Sequence, residues 1–299
     1  MAVGTDQTLE APGVLLTGAS SQIGIFAIPR LVQAGFHVVA ISRKGRPKGF
    51  PVFEKVKWLN ETEAMQASPG CCYLLSAGPM ELAQKFLDSG KQIHTVVVFS
   101  SSSVETKHES DNVAERNQIQ ALKAMESQLQ RCAENKGLKL VVFRPTLIYG
   151  CGLDTNISRL ARFIQRFGFI PVNGAAAGLR QPVHADDLAI VAVSALLSND
   201  TLSPILSLSG GETLSYSDMV ARIFAAFGKP ARLIRLPEWL FALLVRTAGV
   251  FRIAGGINTE MVKRQAVDLV FDDREARKLL AYSPRPFAPL QKDFSLPDF

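Results

Sequence analysis

The residues whose types and spacing could do chemistry begin with the run Thr17-Gly18-Ala19-Ser20-Ser21-Gln22-Ile23-Gly24. It sits between a short apolar run, Val14 to Leu16, that reads as a buried strand, and a helical pattern (Ile23, Phe26, Ala27, Leu31, Val32, Ala34) that closes at Gly35. In a strand–turn–helix of this kind Gly18 takes the tight turn and Gly24 lets the helix pack close to the strand. The amides of Ser20, Ser21, Gln22 and Ile23 at the helix N-terminus can then hold a pyrophosphate. Ser21 stands where the middle glycine of such a turn usually falls.

A second apolar strand, Phe36 to Ile41, ends in Ser42-Arg43-Lys44. The position just past a second strand reads the adenosine ribose: an acid there binds the 2′-hydroxyl and a base suits a 2′-phosphate. With Arg43 and Lys44 present and no carboxylate nearby, NADP is expected as cofactor in preference to NAD. Two further strand ends carry small or hydroxylic residues that let a ligand backbone approach. These are Ser76-Ala77-Gly78 after Cys71–Leu75, and Ser100–Ser103 after His94–Phe99.

The elements that must position these residues alternate as strand and helix through the first two-thirds of the chain. That rhythm predicts an α/β fold, a doubly wound parallel sheet of Rossmann type, with a smaller, mainly helical C-terminal lobe. Strands are expected at Val52–Leu59, Leu138–Phe143 and Ile205–Leu208. Helices are expected at Met80–Leu87, Asp111–Asn135, Asn156–Phe167, Leu188–Leu197, Ser215–Phe227, Glu238–Phe251 and Asp273–Ala281. A nucleotide-binding domain would span 11–150, with 180–210 returning to it, and a substrate lobe 151–179 with 211–299. At 299 residues and 47% hydrophobic content the chain can bury a large core. Its formal charge of +6 is scattered, without nucleic-acid motifs, and suits an anionic small-molecule ligand rather than nucleic acid. The four cysteines have no metal-ligand spacing, so no metal site is expected, and the N-terminus lacks a secretion signal, which points to the cytoplasm. The apolar run near Leu240–Val245 is too short to span a bilayer; it reads as a docked helix, and contact with a membrane surface stays open.

Several motifs in fixed order resemble the extended or atypical short-chain dehydrogenase/reductase superfamily, the group of the nucleotide-sugar epimerases and dehydratases. They are Thr17-Gly18-x-x-Ser21-x-x-Gly24, Ser100–Ser103 with Val104, and Phe143-Arg144-Pro145-x-x-Ile148-Tyr149-Gly150. Arg180-Gln181-Pro182-Val183-His184-Ala185-Asp186-Asp187-Leu188-Ala189, Arg264-x-x-x-Asp268 and the tail Ala276–Leu280 with Ser283-Pro284 complete the set. The resemblance implies a dinucleotide held by the first turn together with Arg43, Lys44, Ser76, Ala77, Gly78, Ser100, Pro145 and Leu147. It implies a phosphate-bearing, nucleotide-sugar-like substrate gripped by Arg180 and Arg264, whose guanidinium forks match phosphate oxygens. It also implies Ser101 at the substrate carbonyl, and a homodimer through the long helix.

One element of that pattern is missing. The superfamily's Tyr-x-x-x-Lys pair belongs on the long helix, and none of the four tyrosines has a lysine four positions on. Anchoring the helix on Glu126 puts Gln118 and Leu122 at the two positions, while anchoring on Lys123 puts Ile119 where tyrosine belongs. Neither glutamine nor isoleucine acts as a general base near neutral pH. Lys123, Tyr149, Lys107, His108 and His184 are the candidate replacements, with Lys123 taken alongside Ser101 as the catalytic set. Two functions follow: an atypical NAD(P)-dependent oxidoreductase, epimerase or dehydratase, or a non-catalytic NADP-binding sensor or assembly subunit.

Overall fold

The structure, a computed structural model, describes residues 12–67, 70–106, 112–198, 205–236 and 264–297, and of Asn173 and Arg264 the backbone alone. The helix expected at 238–251, together with Lys107 and His108, lies outside the described residues.

Seven parallel strands form the central sheet. They are β1 (Gly13–Thr17), β2 (His37–Ile41), β3 (Val56–Leu59), β4 (Cys71–Ser76), β5 (Thr95–Phe99), β6 (Lys139–Pro145) and β11 (Ile205–Leu208), in the order β11-β6-β5-β4-β1-β2-β3. The strands at the middle are apolar on both faces, as a sheet covered by helices on each side requires: all five residues of β1 are buried. The edge strand β3 is only partly buried, with Lys57 exposed, and begins four residues later than its hydropathy suggests.

Helices α1 (Gly24–Gln33) and α7 (Ala185–Leu197) pack against each other on one face. On the other face α3 (Met80–Asp88) packs with α5 (Val113–Lys136). The helix ends follow local chemistry. Asn112 opens α5 by accepting from the Ala114 and Glu115 amides, and Gly137 closes it in the left-handed region at φ 64°. Two short helices, α2 (Glu61–Gln66) and α4 (Ser103–Thr106), escape the hydropathy pattern because each is under two turns long.

Beyond Tyr149 the chain builds a separate apolar cluster around α6 (Ile157–Phe167) and α8 (Tyr216–Ala226), with Ile170, Val172 and Phe287 buried among them. Three two-stranded ribbons stitch this region together. They pair β7 (Ile148–Tyr149) with β10 (Val183–His184), β9 (Leu179–Arg180) with β12 (Leu214–Ser215), and β8 (Ile170–Asn173) with β13 (Leu233–Leu236). The last helix, α9 (Arg274–Leu280), returns to the sheet beside β11.

Candidate active site

The strand order reverses between β1 and β4, and the carboxyl ends of these strands make the crevice where ligands of doubly wound sheets bind. All four small-residue strand ends singled out in the sequence meet at this edge. Thr17 Oγ1 donates to Ser76 Oγ at 2.8 Å, and the Ala77 amide donates to the Thr17 carbonyl at 3.0 Å, locking β1 to β4. Gly18 has φ 65°, and a Cβ added there would lie 2.5 Å from the Gly78 amide nitrogen. A Cβ on Gly24 would lie 2.2 Å from the Gly18 carbonyl oxygen. Both positions therefore demand glycine, one for conformation and space, the other for space alone.

Serine at position 21 has its own use. Its Oγ accepts from the Gly24 amide at 3.1 Å and caps the entry to α1. Ser20 Oγ is 2.9 Å from Ser42 Oγ, which also accepts from the Lys44 amide at 3.3 Å. The turn after β1 is thus tied to the turn after β2, where Arg43 and Lys44 are exposed. Ile23 is buried in the core, and the Oε1 of Gln22 is buried with no hydrogen-bond partner.

A cleft of about 360 Å³ opens beside this turn, lined by Gly78 to Glu81, Phe99 to Ser101, and Gln118, Ala121 and Leu122 of α5. Its serine side is set by main-chain bonds. The Ser100 amide donates to Phe143 O at 2.7 Å and the Ser102 amide to Pro145 O at 3.1 Å. Ser101 Oγ accepts from the Ser103 amide at 3.2 Å, opening α4 and leaving its own O–H to donate elsewhere. The Ser100 Oγ is buried without a partner. Pro145 pairs with Leu208 at the end of β6, and Leu147 packs on the apolar cluster around α6; neither lines the cleft.

The register of α5 follows from Glu126. Buried at 3% exposure, it receives Arg144 through both carboxylate oxygens, Nε to Oε1 at 3.0 Å and Nη2 to Oε2 at 2.5 Å. Arg144 Nη1 reaches Glu105 of α4 at 3.2 Å, so one guanidinium fixes α5 against the serine loop. Its pKa is raised, chiefly by the bond to Glu126. This clamp turns Gln118 and Leu122 to the cleft. One residue round the helix from Leu122, Lys123 is exposed and does not line the cleft. Of the lining side chains Glu81, on the first turn of α3, is the ionisable one, and the sequence pattern gave it no distinction.

Two other candidate proton donors are buried inside the fold. Tyr149 is 1% exposed, edge-on to the rings of His184 and Phe287, and burial drives its hydroxyl pKa far above the usual range. His184 is buried. Its Nδ1 accepts from the Asp186 amide at 3.1 Å and its Nε2 lies 3.6 Å from Asp293. His184 is thus the cap of α7, while the Asp186 and Asp187 carboxylates in its first turn are taken by arginines. Arg30 of α1 bonds Asp186 at 2.5 Å, while Arg285 bonds Asp186 at 2.8 Å and Asp187 at 2.7 Å. These partners lie about 100 residues or more apart, beyond the reach of any local pattern.

Arg180 is 4% exposed. Its Nη1 donates to the carbonyls of Leu179 and Val267 at 2.6 and 2.7 Å, and its guanidinium lies 5.6 Å from the Tyr216 ring. Tyr216 is pushed up to about 12, mainly by burial. Segment 264–271 is laid along β9 and its sequel by the bonds Gly178 N to Gln265 O, Leu179 N to Asp268 Oδ1, Leu269 N to Leu179 O, and Phe271 N to Gln181 Oε1. The two arginine motifs are thus adjacent in space, with Arg264 opening a 3₁₀ turn. Among the described residues there is no cluster able to hold a metal ion and no helix long and apolar enough to cross a membrane.

A Rossmann-type sheet with this glycine turn and serine strand end belongs to a chain similar in fold and sequence to the NAD-dependent epimerases and dehydratases of the extended short-chain dehydrogenase/reductase superfamily. No family model matches the chain. A UDP-glucose 4-epimerase of Vibrio cholerae is 23% identical over 218 residues, 70% of this chain and 63% of that protein, so the match spans less than two-thirds of the relative's length. Among solved structures, UDP-glucuronic acid 4-epimerase of Bacillus cereus, in complex with UDP-glucuronic acid and NAD, superposes with a TM-score of 0.68. Its identity is 15%, over 94% of this chain and 98% of that one. UDP-glucose 4-epimerase of Thermotoga maritima, with UDP-glucose, gives a TM-score of 0.67 at 14% identity, over 95% and 96% of the two chains.

Proposed function

We propose that the chain is an atypical NAD(P)-dependent enzyme of the epimerase, dehydratase or oxidoreductase kind, acting on a nucleotide-sugar-like substrate. In this reading 11–150 with 180–210 hold the dinucleotide, and 151–179 with 211–299 hold the substrate. The observation that carries it is the cradle at the β1–β4 switch point. Gly18, Gly24 and Gly78 leave backbone without side chains there, and two buried acceptors nearby, Gln22 Oε1 and Ser100 Oγ, lack any partner within the protein. Such unpaired buried atoms call for a partner, and a polar ligand seated in the cradle would supply one. Bound there, the nicotinamide supplies hydride transfer. The chain's own part is to seat the pyrophosphate on the α1 amides, to offer the Ser101 hydroxyl to a substrate oxygen, and to exclude water with Phe99 and Leu122.

The similar Bacillus cereus UDP-glucuronic acid 4-epimerase was solved with NAD, whereas Arg43 and Lys44 of this chain stand exposed just past β2, where a 2′-phosphate would lie. Calorimetric titration with NADPH and NADH tests both levels. Binding of either is expected, tighter for NADPH, and equal or tighter NADH binding removes the role of Arg43 and Lys44. Failure of both removes the whole reading. Turnover is then followed at the nicotinamide band with UDP-sugars and keto-sugars.

A second reading, a dinucleotide-binding sensor or assembly subunit without catalysis, is favoured by one feature. Gln118 and Leu122 face the cleft where the related enzymes' superfamily pattern has tyrosine and lysine, and a carboxamide donates and accepts hydrogen bonds without transferring a proton. Dinucleotide binding with no turnover on any sugar nucleotide, unchanged by Ser101→Ala, selects it. A dimer through α5 belongs to either reading, and sedimentation at equilibrium measures it.

A further inference from the structure

Charge is unevenly spread over this protein. Residues 155–172 and 223–236 contain Arg159, Arg162, Arg166, Lys229, Arg232 and Arg235, and neither segment holds a single Asp or Glu. These six cations equal the formal net charge of the whole chain, +6, so the other residues together are neutral. The fold brings the two segments side by side. Strand β8 follows α6 after Gly168 and Phe169 and pairs with β13, α6 packs on α8, and Lys229 Nζ reaches the Gln165 carbonyl at the end of α6 at 3.1 Å. Arg162, Arg166, Arg232 and Arg235 are exposed. Among them stand apolar side chains that face solvent: Leu153 at 46%, Phe167 at 38% and Ile234 at 45% exposure, with the Arg166 guanidinium 5.2 Å from the Phe167 ring.

We propose that this surface docks on an anionic lipid bilayer, holding the enzyme at a membrane face without entering it. The mixture of groups selects this occupant. Cations alone would suit any polyanion, but exposed Leu, Phe and Ile beside arginines match a surface that offers anionic headgroups and an apolar layer beneath them. A nucleic acid offers phosphates without the apolar layer, and the bases that would stack on aromatics find one exposed phenylalanine here. The surface lies on the α6, β8 and β13 side of the part of the chain read above as holding the substrate, and it includes none of the cleft residues.

The test is co-flotation of the full chain with vesicles of phosphatidylcholine alone and of phosphatidylcholine mixed with phosphatidylserine, at low and high salt. Binding to the mixed vesicles that weakens with salt is expected. Each exposed arginine near an anionic surface adds roughly fivefold to the partition coefficient, so Arg162→Ser, Arg166→Ser and Arg232→Ser together should weaken it on the order of 100-fold. Phe167→Ser should weaken binding with the salt dependence preserved. These variants are on the surface, and an unchanged thermal midpoint with unchanged dinucleotide titration verifies that they fold. Absence of flotation with the mixed vesicles at low salt, equal flotation with pure phosphatidylcholine, or retention of binding by the folded triple variant each overturns the proposal. So does preferential binding of duplex DNA or RNA over the vesicles, because the surface would then read phosphates alone.

Discussion

If the cradle at the β1–β4 edge is built as described, alanine at four glycines should separate packing, backbone strain and ligand binding. At Gly35, φ is 93° and nothing lies within 4 Å of a new Cβ, so alanine meets only left-handed strain, about 1–2 kcal/mol. At Gly78 the new Cβ lies 3.1 Å from Gly18 Cα and 3.2 Å from its nitrogen, which a shift of a few tenths of an ångström relieves, about 1 kcal/mol. At Gly24 it falls 2.2 Å from the Gly18 carbonyl oxygen and 2.8 Å from Ala19 backbone atoms, and rigid backbone must move, about 3 kcal/mol. Gly18→Ala combines a 2.5 Å approach to Gly78 N with φ 65°, for roughly 3–5 kcal/mol. Urea unfolding gives the stabilities and calorimetry with NADPH and NADH gives affinity. The expected stability loss rises from Gly78→Ala through Gly35→Ala and Gly24→Ala to Gly18→Ala. Affinity should follow a different order: intact in Gly35→Ala, whose strain lies at the far end of α1, and lost in Gly24→Ala and Gly18→Ala. Gly24→Ala with unaltered stability and affinity would refute the close approach on which the site rests.

Restoring a proton-transfer pair by Gln118→Tyr with Leu122→Lys should raise turnover on a UDP-sugar at least about tenfold, within the usual range for general acid–base catalysis; no gain in a protein that still binds dinucleotide refutes the placement of these positions. Glu126→Ala leaves Arg144 with Glu105 alone and should cost about 3 kcal/mol, the lower end for breaking a buried pair, read as a fall in thermal midpoint of roughly 5 °C. Its combination with Arg144→Met should recover part of that loss, and failure to do so means the pair is not what holds α5. Burial alone would raise the Asp186 pKa, but its bonds to Arg30 and Arg285 outweigh that and lower it. A carboxyl depressed in the folded state stabilises the protein fully above its unfolded value of about 4 and less as pH falls through the folded value. Stability should therefore drop below about pH 4, and the drop should shrink in Arg30→Met, as equilibrium unfolding across pH would show.

The sheet was legible because each buried strand carries its signal in consecutive residues: Val14 to Leu16, Val96 to Phe99 and Leu140 to Phe143 are apolar on both faces and need no partner to be recognised. The cradle was legible for a related reason, since Gly18 and Gly24 act within one turn. What stayed hidden depends on partners distant in sequence. Nothing near Glu126 in the chain announces Arg144, yet that contact decides which of two α5 registers faces the cleft, and so turns Lys123 outward. Asp186 and Asp187 resemble helix caps until Arg30 and Arg285 arrive from 156 and 98 residues away, after which His184 inherits the cap.

The cleft does not depend on the side chains at positions 118 and 122 for its main supports, and the reason is visible in how it is held. Its walls rest on the Arg144 clamp, on main-chain bonds from Ser100 and Ser102, and on the contact between Gly18 and Gly78. None of these uses residue 118 or 122. A fold whose cleft is supported from behind can exchange the groups that face inward with little effect on stability, so the geometry outlives any one chemistry performed in it. Gln118 is therefore the position where substitution should alter what the cleft does while the unfolding free energy stays within about 1 kcal/mol of the original, whereas Leu122 also packs on the apolar core behind it.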